Sequence, residues 1–178
     1  MQISKEEILK AKDSQTAVLF TDVFDDNYKW FHFINFLSYA IKQNNGSLQE
    51  TNASRRKGFI NFWHDLTMTL DKLDESHFPN LESKNDYLES FHPNKSMGRF
   101  GAISFTDSEP TTGKHTDPVD VMYWNCVGIS QWEIFYEDES KLFVLNPGDV
   151  IFVPAKTLHE VTSLSPRAAI SFMFGANE

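Results

Sequence analysis

The chain has 178 residues, is 40% hydrophobic and 14% aromatic, and contains one cysteine. This length fits one domain, predicted to span residues 1–178, and the apolar content excludes intrinsic disorder. The formal net charge of −9 disfavours the basic face that binding to free duplex nucleic acid requires.

Cysteine usage and the first residues indicate the compartment. The single Cys126 cannot form an internal disulfide bond, and Met1 is followed by a polar, charged stretch rather than by a basic and then apolar leader. No run of residues approaches the roughly 18 apolar residues of a membrane-spanning segment. We therefore expect a cytoplasmic location and no membrane partner.

Residues 1–98 are predicted to be mostly helical. Outside residues 59–73, the predicted elements are a helix from the Ser4/Glu7 capping box to Asp13, a strand at Thr16–Thr21, a helix capped by Asp25 or Asp26 that carries apolar residues from Trp30 to Ile41, and a helix around Asp86–Phe91.

An amphipathic helix is predicted over residues 59–73, where apolar residues recur at i, i+3 and i+4 spacing. These residues are Phe59, Phe62, Trp63, Leu66, Leu70 and Leu73. We expect this helix and its neighbours to support the second half of the chain.

From residue 99 onward, short β-prone runs alternate with turn residues. The predicted strands are Arg99–Phe105, His115–Cys126, Gln131–Tyr136, Leu142–Leu145, Asp149–Val153, His159–Leu164 and Ala168–Phe174. Closely spaced strands favour a double-sheet jelly roll or a small barrel. The predicted fold class is therefore mainly β with α (α+β), with a β core in residues 99–178 and supporting helices in residues 1–98.

Two motifs in the strand-rich half carry candidate metal ligands. His115 and Asp117 are two residues apart, so on a strand their side chains would point to the same face. His159 comes from a later strand that can return to the same site. Two imidazoles and one carboxylate can occupy one face of an octahedral Fe(II) ion and leave the opposite face open for substrate and dioxygen.

A His-x-Asp pair is common by chance, so the prediction depends on its combination with the second motif. Gly148, Pro154 and His159 have the spacing of the second cupin signature. The chain departs from that signature at two positions. It has Lys156 where the signature carries glycine, and Ser163 where the signature carries asparagine.

Residues Arg99–Phe174, and above all the two motif-bearing stretches, resemble the JmjC-type, cupin-like hydroxylases and ribosomal oxygenases. The resemblance implies a double-stranded β-helix that holds Fe(II) through His115, Asp117 and His159. It also implies 2-oxoglutarate as cosubstrate and dioxygen as oxidant.

The resemblance also suggests how the distal carboxylate of 2-oxoglutarate is held. The family often uses a threonine three positions before the first histidine ligand, and Thr112 stands there. The basic residue that usually completes the anchor lies 15 positions after that histidine, where this chain has Ser130. Arg167 lies where other 2-oxoglutarate oxygenases place an arginine, although a solvated turn arginine is an equal alternative. Lys156 and Arg99 are weaker candidates.

Strand alternation from His115 places three further side chains inside the barrel and their neighbours outside, toward the helices. The inward residues are Val121, Tyr123 and Asn125, and the outward residues are Met122, Trp124 and Cys126. Tyr123 and Asn125 could hydrogen-bond the cosubstrate. A polar pair satisfied within the interior is the alternative.

The sequence therefore predicts an Fe(II)- and 2-oxoglutarate-dependent oxygenase and favours a hydroxylase. A metal-binding cupin of different chemistry, such as a dioxygenase or isomerase, remains an alternative, as does a non-catalytic cupin module that binds a ligand. The sequence leaves open whether the substrate is a small molecule or a protein, and it leaves the oligomeric state open. The remaining histidines have no partner at ligand spacing and are interpreted as structural or surface residues; they are His32, His64, His77 and His92.

Overall fold

The computed structural model describes residues 3–43, 60–62, 67–107 and 109–175. In this part of the chain the helices are α1 (Lys5–Asp13), α2 (Trp30–Gln43) and α3 (Leu81–Glu89). The side chain of Ser4 caps α1 by accepting a hydrogen bond from the Glu7 amide at 3.3 Å, as the capping box predicts. None of the described helices is long and apolar enough to cross a bilayer.

The strands form two antiparallel sheets. They are β1 (Val18–Phe20), β2 (Ile60–Phe62), β3 (Thr67–Asp71), β4 (Ser96–Ser104), β5 (Glu109–Pro110), β6 (Asp120–Val127), β7 (Ser130–Phe135), β8 (Ser140–Leu145), β9 (Val150–Val153), β10 (Leu158–Ser163) and β11 (Arg167–Phe174). Among the described residues, one sheet has the order β1-β9-β6-β11-β4-β3-β2, and the other has the order β5-β10-β7-β8. The mainly β double-stranded β-helix predicted for this chain is therefore confirmed.

The larger sheet is apolar on both faces, and each face packs against a different layer. Met122, Trp124 and Cys126 point outward into a core shared with the three helices. Val121 and Tyr123 point inward into a second core, shared with the four-stranded sheet. The inward and outward positions predicted for β6 are confirmed for these five residues, because side chains alternate between the two faces from Val121 to Cys126.

The amphipathic helix predicted over residues 59–73 is wrong. The described part of this segment forms β2 and β3, which pair with each other, and β3 also pairs with β4. Along β3, Met68 and Leu70 face the helical core, while Thr67, Thr69 and Asp71 face the barrel interior. Phe59, Trp63 and Leu66 lie outside the described residues. The first 98 residues thus contribute strands to the larger sheet as well as helices.

The remaining predicted elements differ from the structure mainly at their ends. Helix α2 begins at Trp30 rather than directly after Asp25 or Asp26, and α3 lies earlier than the predicted Asp86–Phe91. The strand predicted to begin at His115 begins at Asp120 instead. Pro118, which has no amide hydrogen to donate to a ladder, lies in the loop between them.

Gly148 of the second motif has a backbone conformation and surroundings that leave no room for a Cβ atom. Its φ is +102°, and a Cβ atom at this position would lie 2.5 Å from the carbonyl oxygen of Phe24. The Gly148 carbonyl accepts hydrogen bonds from the amides of Val23 (2.9 Å) and Phe24 (3.2 Å). The motif glycine therefore fastens the segment after β1 to the turn before β9.

Candidate metal centre and anion site

The two sheets enclose a cavity of about 220 Å³ in the barrel interior. His115, Asp117 and His159 line this cavity. Arg167, Tyr123 and Thr111 line the same cavity. The site is therefore built from a group of metal-ligand side chains and a buried cation that face the same space.

The two histidines are brought together by their own backbones. The His115 amide donates to the His159 carbonyl, and the His159 amide donates to the His115 carbonyl, each at 2.9 Å. This isolated antiparallel bridge places the two imidazole rings 4.4 Å apart between centroids. The loop that carries His115 is thus anchored directly on β10.

Backbone carbonyls also set the tautomer of each ring. The Nδ1 atom of His115 lies 2.8 Å from the Gly113 carbonyl oxygen, and Nδ1 of His159 lies 2.9 Å from that of Thr157. A carbonyl oxygen can only accept, so each Nδ1 carries the hydrogen, and Nε2 keeps its lone pair. This is the arrangement by which proteins orient histidine ligands toward a metal.

Asp117 completes the group from a loop rather than from a strand. Its carbonyl accepts a hydrogen bond from the Lys156 amide at 2.7 Å, which ties this loop to the turn before β10. One carboxylate oxygen, Oδ2, lies 3.6 Å from His159 Nε2. The strand alternation used to relate Asp117 to His115 therefore does not apply, but the loop still brings both residues to the cavity.

The three side chains fit a transition-metal ion. One ligand atom from each of His115, Asp117 and His159 lies within 4.8 Å of the others. Burial lowers the pKa of His159, and the neighbouring His115 lowers it further, against opposing effects from the Thr157 carbonyl and from Asp117. The lowered pKa favours the neutral imidazole that a metal requires. Two neutral imidazoles and one carboxylate suit non-haem Fe(II).

Arg167 is buried, at 3% exposure, and not a solvated turn residue. Its Nε donates to Ser163 Oγ at 2.9 Å, one terminal nitrogen donates to the Tyr123 hydroxyl, and the other donates to Thr111 Oγ1 at 3.1 Å. These partners are neutral. Burial lowers the pKa of Arg167 to about 10, which still leaves the guanidinium charged at neutral pH.

No carboxylate within the described ranges lies at ion-pair distance from Arg167. A guanidinium has five N–H groups, and the three hydrogen bonds to Ser163, Tyr123 and Thr111 leave two of them without an acceptor among these residues. Two N–H groups of one guanidinium match the two oxygens of a carboxylate. Arg167 therefore has the charge and the free donors of an anion-binding residue.

Two of the three departures from the expected patterns, Ser130 and Ser163, are neighbours in the structure. They lie opposite each other in the register of β7 and β10, and both are fully buried. Ser130 donates to the side chain of Asn125 at 3.2 Å, and Ser163 accepts from Arg167. Two small side chains at these positions leave room for the long Arg167 side chain, which enters from β11.

Of the other residues predicted to contact the cosubstrate, two line the cavity and one does not. Tyr123 and Thr112 line the cavity, and the Thr112 hydroxyl lies 3.3 Å from His115 Nδ1. Asn125 is not among the lining residues, because its amide group donates to the carbonyls of Gly128 (2.7 Å) and Leu145 (3.3 Å). Asn125 is therefore a polar residue whose hydrogen bonds are satisfied within the protein interior, which was the alternative to cosubstrate binding.

The two weaker basic candidates are not among the residues that line the cavity. Arg99 pairs with Glu82 of α3, with Nη1 2.9 Å from Oε2. Lys156 is exposed and borders a separate surface groove beside Tyr136 and Thr157. Arg167 is therefore the one cation of this set that faces the metal-ligand group.

Sequence reasoning missed several residues of the cavity. Trp132 stacks on His159, with ring centroids 5.1 Å apart, and its buried indole N–H has no acceptor in the described part of the chain. Thr111 lies between two predicted strands, but its amide donates to the Val161 carbonyl at 2.8 Å and extends the pairing of β5. Four residues of β3 also line the cavity, and the helix prediction concealed them; they are Thr67, Met68, Thr69 and Asp71.

Neither a protein-family model nor a curated protein matches this chain by sequence. Its fold, however, matches solved structures of 2-oxoglutarate enzymes. The ribosomal oxygenase YcfD from Escherichia coli, in complex with cobalt and 2-oxoglutarate, superposes with a TM-score of 0.72 at 15% sequence identity, covering 99% of this chain and 52% of that one. A YcfD complex with cobalt and succinic acid gives a TM-score of 0.71 at 14% identity, with the same coverage.

A second kind of enzyme has the same fold. The non-haem α-ketoglutarate-dependent epimerase SnoN, from nogalamycin biosynthesis, superposes with a TM-score of 0.62 at 12% identity, covering 96% of this chain and 82% of that one. The fold is that of the JmjC-type, cupin-like oxygenases. The chain spans about half the length of YcfD, and at these identities the likeness concerns the fold alone.

Proposed function

We propose that this protein is an Fe(II)- and 2-oxoglutarate-dependent oxygenase that acts as a hydroxylase. His115, Asp117 and His159 would hold the metal, and Arg167, with Tyr123 and Thr111, would hold the distal carboxylate of the cosubstrate. The observation that carries the proposal is the buried guanidinium of Arg167, which shares a cavity with three convergent metal-ligand side chains.

The argument rests on the cost of a buried charge. A charge removed from water without an ionic partner costs several kcal/mol, so buried cations are paired in proteins. The described residues supply Arg167 with hydroxyl oxygens but no carboxylate. A cosubstrate that brings a carboxylate supplies the missing partner, and one that also chelates a metal would contact both Arg167 and the metal.

Each part of the site has a separate task in this proposal. Bound Fe(II) would supply the activation of dioxygen that couples oxidative decarboxylation of 2-oxoglutarate to hydroxylation of a C–H bond. His115 and His159 present Nε2 lone pairs, and their Nδ1–H bonds to backbone carbonyls fix the ring orientations. Arg167 orients the cosubstrate, and the apolar residues of the inner core, Val121 and Val161 among them, exclude water.

Location and partners are also part of the proposal. We infer a cytoplasmic protein, supported by the single buried Cys126, which makes no disulfide bond. The net charge of −9 argues against free duplex nucleic acid as a substrate. Small molecules and proteins remain the two substrate classes.

The test is turnover with Fe(II), 2-oxoglutarate and dioxygen. We expect succinate to form together with oxygen consumption, slowly without a substrate and faster when a substrate is present. A cupin of other chemistry would bind metal without forming succinate from 2-oxoglutarate, and a non-catalytic module would do neither. Succinate formation that persists in Asp117→Ala would contradict the assignment of the metal ligands.

An epimerase that uses the same cosubstrate is the second candidate, because SnoN shares the fold over 82% of its own length. The two reactions differ in the mass of the product. Hydroxylation adds one oxygen atom to the substrate, whereas epimerisation leaves its composition unchanged. Mass spectrometry of a converted substrate under ¹⁸O₂ separates them.

A further inference from the structure

We propose that Asp120 is a positioning residue that holds both metal-ligand segments together, so that metal affinity depends on a carboxylate outside the ligand set. This inference rests on the proposed function. Asp120 is the first residue of β6, three positions after Asp117, and is 4% exposed.

The contacts of Asp120 reach the segment that leads to the second histidine. Its Oδ1 accepts a hydrogen bond from the Ala155 amide at 2.7 Å. The next amide, that of Lys156, donates to the Asp117 carbonyl at 2.7 Å. One residue later, the Thr157 carbonyl accepts the Nδ1–H of His159 at 2.9 Å. A single carboxylate thus fixes the segment that orients both Asp117 and His159.

The other carboxylate oxygen is anchored to the helical half of the chain. Oδ2 accepts from Lys12 Nζ of α1 at 2.5 Å and lies 3.1 Å from His92 Nε2. An ionised carboxylate can only accept, so His92 Nε2 carries a hydrogen and donates it to Asp120. The other ring nitrogen of His92, Nδ1, lies beside the amide and the carbonyl of Asn94, at 3.0 and 3.1 Å. His92 is itself buried, and its ring stacks on Phe174 with centroids 4.5 Å apart.

Asp120 thus contacts Lys12 and His92 through one carboxylate oxygen and the segment that orients the ligands through the other. Metal sites lose affinity when their ligands are no longer held in place, even if every ligand remains. Without the bond to Asp120, the Ala155–Thr157 segment keeps its link to Asp117 but loses its connection to α1 and His92. The ligand atoms would then sample a wider range of positions.

Asp149 provides a matched control. It is also a buried carboxylate, 2% exposed, and it accepts two backbone hydrogen bonds, from Asp22 at 2.9 Å and from Asn146 at 2.8 Å. It lies just before the start of β9, whereas Ala155 lies just after its end. Its replacement should therefore weaken the fold without disturbing the ligand segments.

The experiment is a Co(II) titration of the full chain in four forms: native, Asp120→Ala, Asp120→Asn and Asp149→Asn. Calorimetry gives the affinity, and the Co(II) d–d absorption bands report the ligand geometry. We expect Asp120→Ala to bind Co(II) about tenfold or more weakly, with shifted bands. Asp120→Asn keeps one acceptor oxygen and should therefore lose less of its affinity for Co(II) than Asp120→Ala does. Asp149→Asn should unfold at a lower temperature but keep the native affinity and spectrum.

Native Co(II) affinity and bands in folded Asp120→Ala would overturn the positioning role, as would an equal loss of affinity in Asp149→Asn. If Asp120→Ala does not fold, Asp120→Asn and Lys12→Met are compared with the native chain instead. Native Co(II) affinity in both variants would overturn the inference. Absence of Co(II) binding by the native chain overturns the proposed metal site itself. The two failures are therefore distinguishable.

Discussion

Arg167 Nε donates a hydrogen bond to Ser163 Oγ at 2.9 Å, which links an arginine on β11 to the position where the second cupin signature carries asparagine. Ser163 in turn lies opposite Ser130, where the JmjC-type family usually has its basic residue. The cation of this site thus comes from a different strand. Two serines, read from the sequence as departures from the pattern, accompany that relocation.

Replacing Arg167 by methionine should separate anchoring from folding. The variant loses charge-assisted hydrogen bonds worth about 1.5–3 kcal/mol, so we expect the affinity for 2-oxoglutarate to fall about 10- to 150-fold. Removing an unpaired buried charge often costs a fold little, so the unfolding temperature without ligand should change little or rise. Calorimetry with Mn(II)-loaded protein and thermal unfolding measure the two effects.

Ser130→Lys in the Arg167→Met background serves as the rescue. It returns a basic residue to the family position and should recover part of the lost affinity. A single Arg167→Met variant with native affinity for 2-oxoglutarate would show that the anion is held elsewhere.

Metal binding should stabilise the fold through the three ligands. A divalent ion at 100 times its Kd adds about 2.7 kcal/mol to the free energy of unfolding, so Co(II) should raise the unfolding temperature and a chelator should reverse the rise. Asp117→Ala removes a loop carboxylate that is 37% exposed, so the metal-free fold should be nearly unaffected. Differential scanning fluorimetry checks both; a full Co(II) shift in Asp117→Ala would exclude this carboxylate as a ligand.

Acid stability should depend on Asp120. Burial alone would raise its pKa, but hydrogen bonds from His92, Lys12 and the Ala155 amide outweigh burial and lower the pKa to about 2. A carboxyl whose pKa is lowered in the folded state stabilises the fold above its ordinary pKa of 3.8, and this contribution is lost as the pH falls toward 2. The contribution of the Asp120 carboxylate to the free energy of unfolding at neutral pH is on the order of 2 kcal/mol.

Asp120→Asn should therefore show a shallower fall in the free energy of unfolding between pH 5 and pH 2 than the native protein does. Urea unfolding at a series of pH values measures this slope. Parallel curves for the two proteins would mean that the carboxylate is not responsible for the acid sensitivity.

Lys156 has a backbone conformation that suits the glycine of the cupin signature. Its φ is +65°, and the left-handed region costs a residue with a Cβ about 1–2 kcal/mol. Glycine removes that strain, but its greater unfolded-state entropy costs about 0.5–1 kcal/mol. Lys156→Gly should therefore raise the free energy of unfolding by up to about 1.5 kcal/mol. Lys156→Ala keeps the Cβ and is the control. Urea unfolding gives the free energy of unfolding of each variant. A lower value for Lys156→Gly than for Lys156→Ala would show that the backbone at this position is not strained.

The strand-rich half was predictable because its signals are local. Turn residues separate the strands, and the alternation along β6 sorts Tyr123 from Trp124 correctly. The helix prediction over residues 59–73 failed because apolar residues there fit the helical period as well as the strand period. Leu70 belongs to both patterns, and the pairing of β3 with β4, a contact distant in sequence, decides the outcome.

The candidate site was predictable to the extent that a motif fixes a backbone. His115, Asp117 and His159 come together because their motifs include the turn residues and carbonyls that orient them. Trp132 and Thr111 have no such signal, since their place in the cavity follows from sheet register. Asn125 faces inward as alternation predicts, but neighbouring carbonyls use its amide group, which no sequence pattern reveals.

The most direct test of the account is an anaerobic titration of the Fe(II)-loaded protein with 2-oxoglutarate, followed by visible absorption. Chelation of the iron by the cosubstrate should produce a weak charge-transfer band. We expect this band in the native protein, no band in His115→Ala or Asp117→Ala, and a band that saturates only at much higher 2-oxoglutarate in Arg167→Met. Iron demonstrably bound to the native protein, with no band at any 2-oxoglutarate concentration, would contradict the cosubstrate assignment.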